Sequence, residues 1–568
     1  MPLTNILILA LLAVAAVAAG VVGWMISKKN GAAGVGLKAV LALCLCIVVG
    51  CVAYVAIAAA TGTLKPEVPE TAFDPNMNGF HENIVADNGD VYSGEFVVGY
   101  YEGRGRVVCP DGTIYDGEWV AGKRHGTGTL VSPEGWTYEG QFVDNIMEGQ
   151  GICTFPDGSV YDGAWVEDKP NGEGTYTAAD GSVTKGNWVD GVKDGIAVKT
   201  YADGSVYNGA WVDNQPHGEG TYTSAEGWTY TGTFDKGVRS GEGAIVYADG
   251  SAYDGQWQKD LRWGDGIQKY ADGSTYSGEW ANDKENGKGT FKSVKGWVYS
   301  GDFVNGVREG SGGMTYADGS YYYGTFKNNQ PHGQGRMDHA LGWTYDGEWS
   351  QGVRSGHGTY YFPDGSKYVG EWANGKENGK GKHTNASGWS YDGQWKDGLK
   401  SGEGTLYLSD GTTYTGSFSA DVFNGKGTMK HAEGWTYEGE WKDGLRSGTG
   451  KYAYPDGSVY EGQWLNDLEH GLGTHTDITG WSYTGEWTTG LRHGQGKLTY
   501  ADGSWYDGQW ENNVKQGQGT QTYHDETGKL FGTYVGAFAA DKRNGEGTLT
   551  YENGYTQTGL WENDNFLG

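Results

Sequence analysis

The hydrophobic and polar positions of this chain follow a pattern of 23 residues that repeats from Tyr92 onward. Each copy opens with a segment such as Tyr437 to Trp441, in which large rings and a glycine occupy every second position. A period of two is that of a β-strand with one buried face. The glycines at 448 and 450 and a second alternating apolar segment follow within the copy. The pattern therefore predicts two strands, a β-hairpin, in every copy.

The same unit predicts how its strands are connected. The Asp-Gly-Ser segment at 456–458 is typical of a tight turn, because Gly adopts positive φ readily and Asp binds nearby backbone amides. The Lys-Asp-Gly-Leu-Arg-Ser-Gly segment at 442–448 is expected to form a longer connection at the other sheet edge. A glycine between two rings on one face leaves a slot, which we expect a ring of the neighbouring strand to fill.

The copies keep one register over most of the chain. Nineteen of them start in phase between Tyr92 and Tyr506, five extra residues near 525–529 shift the next start to Tyr534, and a truncated copy begins at Gln557. Neighbouring units of such an array bury one another's faces. We expect an all-β repeat array, an elongated, twisted single-layer antiparallel sheet of stacked hairpins, with about 21 repeats over residues 89–568.

Two uncharged segments precede the repeats, at about residues 3–26 and 39–60. Each is long enough to cross a bilayer core of about 30 Å as a helix. Small residues in both would let the pair pack closely, so residues 1–61 are predicted to form a transmembrane helical hairpin. A cleaved signal peptide is the alternative for the first segment. Residues 62–88 contain three prolines and are predicted to be an extended linker.

The charges between the two segments predict an orientation. Lys28, Lys29 and Lys38 lie there without an acidic residue, and positively charged loops stay on the cytoplasmic side. We therefore expect an integral membrane protein whose repeats are extracytoplasmic.

The repeat resembles the MORN repeat, the "membrane occupation and recognition nexus" module. The resemblance rests on the positions of Tyr437, Gly439 and Trp441, on the two glycines that follow, and on the Asp-Gly turn. The resemblance covers residues 92 to about 562. It implies an elongated, twisted antiparallel sheet and a scaffold or tether role at a membrane. Thr184 and Gln557 depart from the pattern at the leading Tyr, and Ala197 departs from it in a glycine column.

The charge of the chain limits its partners. The net charge of −29 includes the three lysines between the apolar segments, so the remainder carries −32. Such an acidic array does not favour nucleic acid or anionic lipid, and it favours a cationic partner. Cys109 and Cys153 lie about two repeats apart, about 20 Å on strand spacing, which is too far for a disulfide.

Two polar columns of the repeat carry side chains that can bind metal ions. Histidines recur at one position of the repeat, and aspartates precede many turn glycines. Neighbouring histidines of the column are about 10 Å apart, too far for two ring nitrogens to share a metal, and the aspartates lack the spacing of calcium-binding β-rolls. We interpret both columns as turn residues: His125, His217, His332, His470 and His493, and Asp111, Asp157, Asp180, Asp203 and Asp249.

No catalytic, cofactor-binding or metal-binding motif stands out from the repeats, and the chain ends at Gly568 within the last repeat. We therefore expect a protein that is not an enzyme and needs no cofactor.

A tryptophan directly follows the turn glycine in some repeats, and from Trp297 onward it recurs every 46 residues. We expect these indoles on the face opposite the core, as an exposed stripe suited to sugar rings or to a proline-rich or aliphatic partner. The candidate ligand-binding stripe consists of Trp297, Trp343, Trp389, Trp435 and Trp481.

Two functions fit these features. The first, which the sequence favours, is a membrane-anchored, non-enzymatic scaffold or tether that presents the repeats to protein or surface partners. The second is an extracytoplasmic receptor for glycan or cell wall that uses the tryptophan stripe. Self-association of the arrays is a further option, and nucleic acid is not expected as a partner.

Overall fold

The structure is a computed structural model, which describes residues 73–568. The predicted helices at 3–26 and 39–60 and the first part of the predicted linker lie outside the described residues. Residues 73–568 form 43 β-strands and contain no helix, so no helix of this range could span a membrane.

The chain divides into two units, which meet in sequence at Ala248 and Asp249. Within each unit the strands follow one another in chain order and pair antiparallel with their neighbours, which confirms the predicted antiparallel sheet of stacked hairpins. The first unit contains β1 Gly79–Val85, β2 Val91–Val97, β3 Tyr100–Val108, β4 Ile114–Val120, β5 Lys123–Val131, β6 Thr137–Val143, β7 Ile146–Thr154, β8 Val160–Val166, β9 Lys169–Thr177, β10 Val183–Val189, β11 Val192–Thr200, β12 Val206–Val212, β13 Gln215–Thr223, β14 Thr229–Asp235 and β15 Val238–Val246.

The second unit has the same organisation. It contains β16 Ala252–Gln258, β17 Leu261–Lys269, β18 Thr275–Ala281, β19 Lys284–Lys292, β20 Val298–Val304, β21 Val307–Thr315, β22 Tyr321–Lys327, β23 Gln330–Asp338, β24 Thr344–Ser350, β25 Val353–Tyr361, β26 Lys367–Ala373, β27 Lys376–Thr384, β28 Ser390–Lys396, β29 Leu399–Tyr407, β30 Thr413–Ser419, β31 Val422–Lys430, β32 Thr436–Lys442, β33 Leu445–Ala453, β34 Val459–Leu465, β35 Leu468–Thr476, β36 Ser482–Thr488, β37 Leu491–Thr499, β38 Trp505–Glu511, β39 Val514–His524, β40 Leu530–Ala539, β41 Lys542–Tyr551, β42 Thr556–Glu562 and β43 Asn565–Phe566.

The connection expected to be long is a two-residue turn. Asp443 and Gly444 join β32 to β33, with φ of 50° and 84°. Two positive φ values are the signature of a type I′ turn, whose twist matches that of the flanking strands. The expectation of a longer connection at 442–448 is therefore wrong, because Leu445 already belongs to the next strand.

The Asp-Gly-Ser connection is the longer one, a five-residue loop at 454–458. The amide of Tyr454 donates to the carbonyl of Ser458 at 2.8 Å, and the amide of Gly457 donates to the carbonyl of Tyr454 at 3.0 Å. The Asp456 carboxylate accepts the amide of Ser458 at 2.9 Å. The predicted turn at this place is confirmed, and the aspartate is its cap.

A bulge explains one of the two conserved glycines of the second strand. Gly448 has a φ of 63° and lies where the pairing of β32 and β33 shifts register. The Glu440 side chain covers it so closely that a Cβ on Gly448 would overlap the carboxylate. Glycine is required here both for its φ and for this contact.

The slot between the rings is filled from its own strand. Gly393 and Gly404 face each other across β28 and β29, and a Cβ on Gly393 would lie 2.5 Å from the Gly404 Cα and 2.5 Å from the Tyr391 hydroxyl. The Tyr391 ring thus folds back over the glycine pair, and its hydroxyl donates to the Gln394 carbonyl at 2.9 Å. We expected a ring of the neighbouring strand, which is wrong because the leading Tyr takes the space.

The buried rings form a ladder along one face of the sheet, which we call the core ladder. Tyr391 meets Trp395 at 5.1 Å and 83°, and it meets Phe418 of the next hairpin at 4.9 Å and 77° between ring centroids and planes. The Trp395 indole donates to the Gly381 carbonyl of the preceding hairpin at 3.0 Å. Tyr391, Trp395 and Phe418 are buried, so the predicted one-sided aromatic core is confirmed.

The two departures at Thr184 and Ala197 belong to one hairpin, formed by β10 and β11. Thr184 is 2% exposed and takes the place of the leading Tyr, and Ala197 takes the place of the glycine that such a ring would cover. In the preceding hairpin, a Cβ on Gly174 would lie 2.6 Å from the Tyr161 ring. The methyl group is therefore tolerated at Ala197 because the ring is missing.

The five extra residues near 525–529 lengthen a hairpin. β39 has 11 residues and β40 has 10, whereas β33 and β34 have 9 and 7. The loop at 525–529 keeps the usual closure, with the Asp525 amide donating to the Lys529 carbonyl at 2.9 Å.

The sheet begins earlier than the sequence predicts. Residues 79–85, assigned to the extended linker, form β1 and pair with β2. Phe73 covers the first ring of the core ladder, with its centroid 5.3 Å from Phe96, and its amide donates to the Gly99 carbonyl at 2.8 Å. The linker prediction is therefore wrong for residues 79–85, which form a strand.

Candidate functional site

The tryptophans of the candidate stripe lie on the same side of the sheet as the core ladder. Trp343 is two residues before Tyr345 and stacks on Tyr360 at 5.3 Å, and Tyr360 is the cross-strand partner of Tyr345. The expectation that these indoles lie on the opposite face is therefore wrong, because a spacing of two keeps a side chain on one face. All five are partly buried: Trp297, Trp343, Trp389, Trp435 and Trp481.

The five indoles take part in a second row of rings beside the five-residue loops, which we call the edge ladder. From Trp343 the row continues through Tyr360, Phe362 and His383 to Trp389, with successive centroid distances of 5.3, 4.6, 5.3 and 4.7 Å. Stacked and edge-to-face rings at these distances attract one another. Each indole thus has one face against the protein.

The edge ladder also explains the spacing of 46 residues. Loops that carry Trp at their last position alternate with loops that carry an aromatic or aliphatic side chain at their first position, as Trp435 alternates with Tyr454. Tyr454 lies 4.6 Å from Tyr452 and 5.5 Å from His475, which stacks on Trp481 at 4.9 Å. One 46-residue period of the edge ladder therefore consists of rings from two successive hairpins.

A column of cations, which the sequence patterns above do not predict, separates the two ladders. The Arg446 guanidinium lies 4.4 Å from the Trp464 ring centroid and 5.0 Å from that of Tyr452. It also donates to the Asp467 carbonyl at 2.8 Å, and the Asp467 carboxylate accepts the Arg446 amide at 2.8 Å. The second unit carries the column at Arg262, Arg308, Arg354, Lys400, Arg446, Arg492, Lys515 and Arg543.

Along much of the second unit the cations occur in alternate hairpins, and the hairpins between them carry other residues at this position: Glu285, Pro331, Glu377, Phe423 and Glu469. The position of Arg446 is taken by Glu469 in the next hairpin, where the Tyr454 hydroxyl donates to its carboxylate at 2.9 Å. The same 46-residue period as that of the tryptophans could have revealed this column, because its residues also change type in alternate repeats. A cation such as Arg446 holds its own hairpin against the two-residue turn of the next hairpin, which is a structural role.

Burial shifts the pKa of several groups on this side. It lowers the pKa of the Arg492 guanidinium and of the His383 and His475 rings. It lowers the pKa of Lys193 and of Lys515 to about 8. Desolvation is the main cause in each case, because burial disfavours the charged form.

The polar columns do not converge on a site. The interpretation of the histidines as turn residues is wrong, because all five lie in strands: His125 in β5, His217 in β13, His332 in β23, His470 in β35 and His493 in β37. Asp157 and Asp180 cap loops by accepting the amides of Ser159 and Ser182. Among residues 73–568, no cluster of three or more His, Cys, Asp or Glu could hold a metal ion. Cys109 and Cys153 are free thiols.

The face opposite the core ladder is open, and its polar side chains are interspersed with exposed apolar ones such as Ile152, Val369 and Leu472. In the second unit a groove of about 880 Å³ runs across β29 to β35, lined by side chains such as Glu403, Thr415, Lys426 and Glu438. In the first unit a similar groove of about 850 Å³ crosses β3 to β8. These grooves are two of the concave surfaces that the described residues offer to a partner.

The MORN repeat family model matches twenty segments between residues 92 and 554. The chain belongs to the MORN repeat proteins. Between its segments the family model leaves out residue 184, residues 341–344 and residues 528–533. The first is the place of the missing ring, and the last lies in the lengthened hairpin.

The chain is distantly similar to several solved structures. It is 16% identical to the TCP10 domain of CPAP from Danio rerio, over 34% of this chain and 92% of that chain, with a TM-score of 0.22. It is 16% identical to the TCP domain of Drosophila melanogaster SAS-4 in complex with a proline-rich motif of Ana2, over 32% and 90%, with a TM-score of 0.19. It is 11% identical to a streptogramin B lyase, over 52% and 90%, with a TM-score of 0.10.

These TM-scores are too low to support an inference about the function of the MORN array. No curated protein matches the chain.

Proposed function

We propose that this MORN protein is a non-enzymatic scaffold or tether, anchored in a membrane by segments 3–26 and 39–60, that presents its repeats to protein partners. One observation carries the proposal. The residues that all repeats share lie on the core side, whereas the opposite face is exposed and changes from hairpin to hairpin. At one position of that face, successive hairpins carry Asp346, Val369, Asp392, Thr415 and Glu438.

This division suits a surface for recognition. The core ladder gives each hairpin the same shape, so substitutions on the open face alter its chemistry without disturbing the fold. Specific recognition of a partner depends on such locally distinct side chains.

The charge indicates the kind of protein partner. With a net charge of −29, the chain attracts basic surfaces and repels acidic ones. Electrostatic complementarity of this kind accelerates association and makes the affinity depend on salt.

The membrane and compartment parts of the proposal rest on the sequence. The two apolar segments have the length of membrane helices, and Lys28, Lys29 and Lys38 between them favour a cytoplasmic loop. The repeats would then meet their partners outside the cytoplasm.

Photo-crosslinking in cells tests the scaffold role. A crosslinking amino acid at Glu438, on the open face, should capture a protein that then binds the purified full-length chain with an affinity that falls as salt rises. The same substitution at Glu433, which is exposed in a five-residue loop, is the matched control and should capture it much less. Equal capture from both positions, or an affinity independent of salt, would contradict the proposal.

A further inference from the structure

Two exposed tyrosines interrupt the polar face of the second unit. Tyr321 and Tyr323 lie in β22 on either side of Tyr322, which belongs to the core ladder. They are 43% and 63% exposed. Because side chains alternate along a strand, both rings project from the open face.

The backbone beside these rings is cleared of side chains. Gly313 is the cross-strand partner of Tyr323, and a Cβ on it would lie 2.5 Å from the Tyr321 hydroxyl. The corresponding position in the preceding hairpin holds Thr290. Gly313 therefore lets the Tyr321 ring lie across the sheet. The two tyrosine rings and the exposed backbone at Gly313 form one flat surface, which we call the platform.

Hydroxyl groups surround the platform. A groove of about 610 Å³ is lined by both tyrosines and by Ser300, Ser311 and Thr290, among others. The Thr290 and Ser300 hydroxyls are 2.9 Å apart, so each has hydrogen-bonding capacity left for a ligand.

The groove is also nearly uncharged in a strongly acidic chain. None of the described residues that line it carries a carboxylate, and its one cation, Lys288, is paired with Asp302. The groove around Thr415 has the opposite character, with Glu403, Glu438 and other charged side chains in its lining.

We propose that Tyr321 and Tyr323, with the hydroxyl-lined groove beside them, bind a linear neutral oligosaccharide. The C–H faces of pyranose rings pack against aromatic rings, and sugar hydroxyls both donate and accept hydrogen bonds, as serine and threonine hydroxyls do. A proline-rich peptide fits less well, because it offers mainly carbonyl acceptors and needs fixed donors. The edge-ladder tryptophans are on the other face and take no part, and the site does not depend on the scaffold role.

Calorimetric titration of the full-length protein tests the site. The probes are two hexaoses, one of β-1,4-linked glucose and one of β-1,4-linked N-acetylglucosamine, with decaproline as the competing class. At least one hexaose should bind, and Tyr323→Ala should weaken binding roughly tenfold, because it removes one stacking ring. Gly313→Thr should weaken it likewise by displacing the Tyr321 ring.

The matched control is Tyr407→Ala, which removes a tyrosine that is 46% exposed on the open face of another hairpin and should leave the affinity unchanged. Amide exchange over β22 monitors the fold of the Tyr323 variant, whose Tyr322 core contact is kept. Absence of binding by both hexaoses up to about 10 mM, affinity unaffected by Tyr323→Ala, or preferential binding of decaproline would each overturn the proposal.

Discussion

The hairpin of β10 and β11 offers the sharpest test of how the core ladder works. Thr184 stands where other hairpins have Tyr, and Ala197 stands where they have Gly. A tyrosine ring at position 184 would need the space that the Ala197 methyl group fills. We expect Thr184→Tyr alone to destabilise the hairpin by about 1–3 kcal/mol through overpacking. Ala197→Gly alone should cost roughly 1 kcal/mol, because it removes a buried methyl group and adds backbone entropy.

The double variant should instead be more stable than the parent. Burying a tyrosine ring contributes about 1.5–3 kcal/mol. In the preceding hairpin Tyr161 meets Trp165 at 5.4 Å and Trp188 at 5.3 Å, and such edge-to-face pairs add about 0.5–1.5 kcal/mol each. After the loss at Ala197, a local gain of about 2–4 kcal/mol is expected.

Amide hydrogen exchange over residues 183–200 measures this gain locally, which matters because an array need not unfold in one step. The matched control is the hairpin of β30 and β31, whose protection should not change. If the two substitutions simply added, with the double variant less protected than either single one, the mutual exclusion of ring and methyl group would be refuted.

Three further predictions follow from the two ladders. Gly393→Val forces a side chain against Gly404 and Tyr391, and Trp395→Ala should cost roughly 3–5 kcal/mol. Each variant should unfold its own hairpin while distant hairpins stay protected from amide exchange, and a single global transition would contradict this. Burial lowers the pKa of Lys515 to about 8 from the usual 10.5, so between about pH 8 and pH 10 the unfolded chain binds more protons than the folded one. The local free energy of unfolding should therefore rise by roughly 1–3 kcal/mol over this range. If its pH dependence is the same in Lys515→Met, the buried Lys515 ammonium is not the cause of the rise. The third prediction concerns a triple variant in which Trp343, Trp389 and Trp435 are replaced by Ser. If the edge-ladder indoles bind a ligand, this variant should capture a glycan or protein far more weakly than any single variant does. Unchanged capture would show that these indoles are packing residues only.

The core ladder could be predicted from the sequence because its rule is local. Tyr391, Gly393 and Trp395 are two residues apart, and a period of two fixes their common face whatever the neighbours do. The number and register of the hairpins followed from the same count. The departures at Thr184 and Ala197 were visible as well, but their connection becomes clear only when the Tyr ring is seen lying over the glycine pair.

The turns were harder to predict because two Asp-Gly signals occur in each repeat. Asp443-Gly444 forms the two-residue turn and Asp456-Gly457 belongs to a five-residue loop. Both dipeptides favour turns, and the pairing of the flanking strands decides the length.

The edge ladder and its cations could not be predicted from a single repeat, because their contacts join different hairpins. Arg446 has its ring partners in two hairpins and its hydrogen-bond acceptors at Asp467. The sequence shows the spacing of the tryptophans, but the prediction of their face is wrong, because an indole two residues before the leading Tyr stays on the core side. An arginine in a polar segment is also more often solvated than stacked.

The central claim is that a membrane anchor displays the repeats outside the cytoplasm, and a thiol label tests it most directly. Lys426→Cys places a cysteine on the exposed face of β31. Burial raises the pKa of the Cys109 and Cys153 thiols to about 12, so they should react slowly with a maleimide at neutral pH, and the parent chain gives the background. Labelling of Cys at 426 by a membrane-impermeant maleimide in intact cells is the predicted result. Labelling only after lysis would contradict the account.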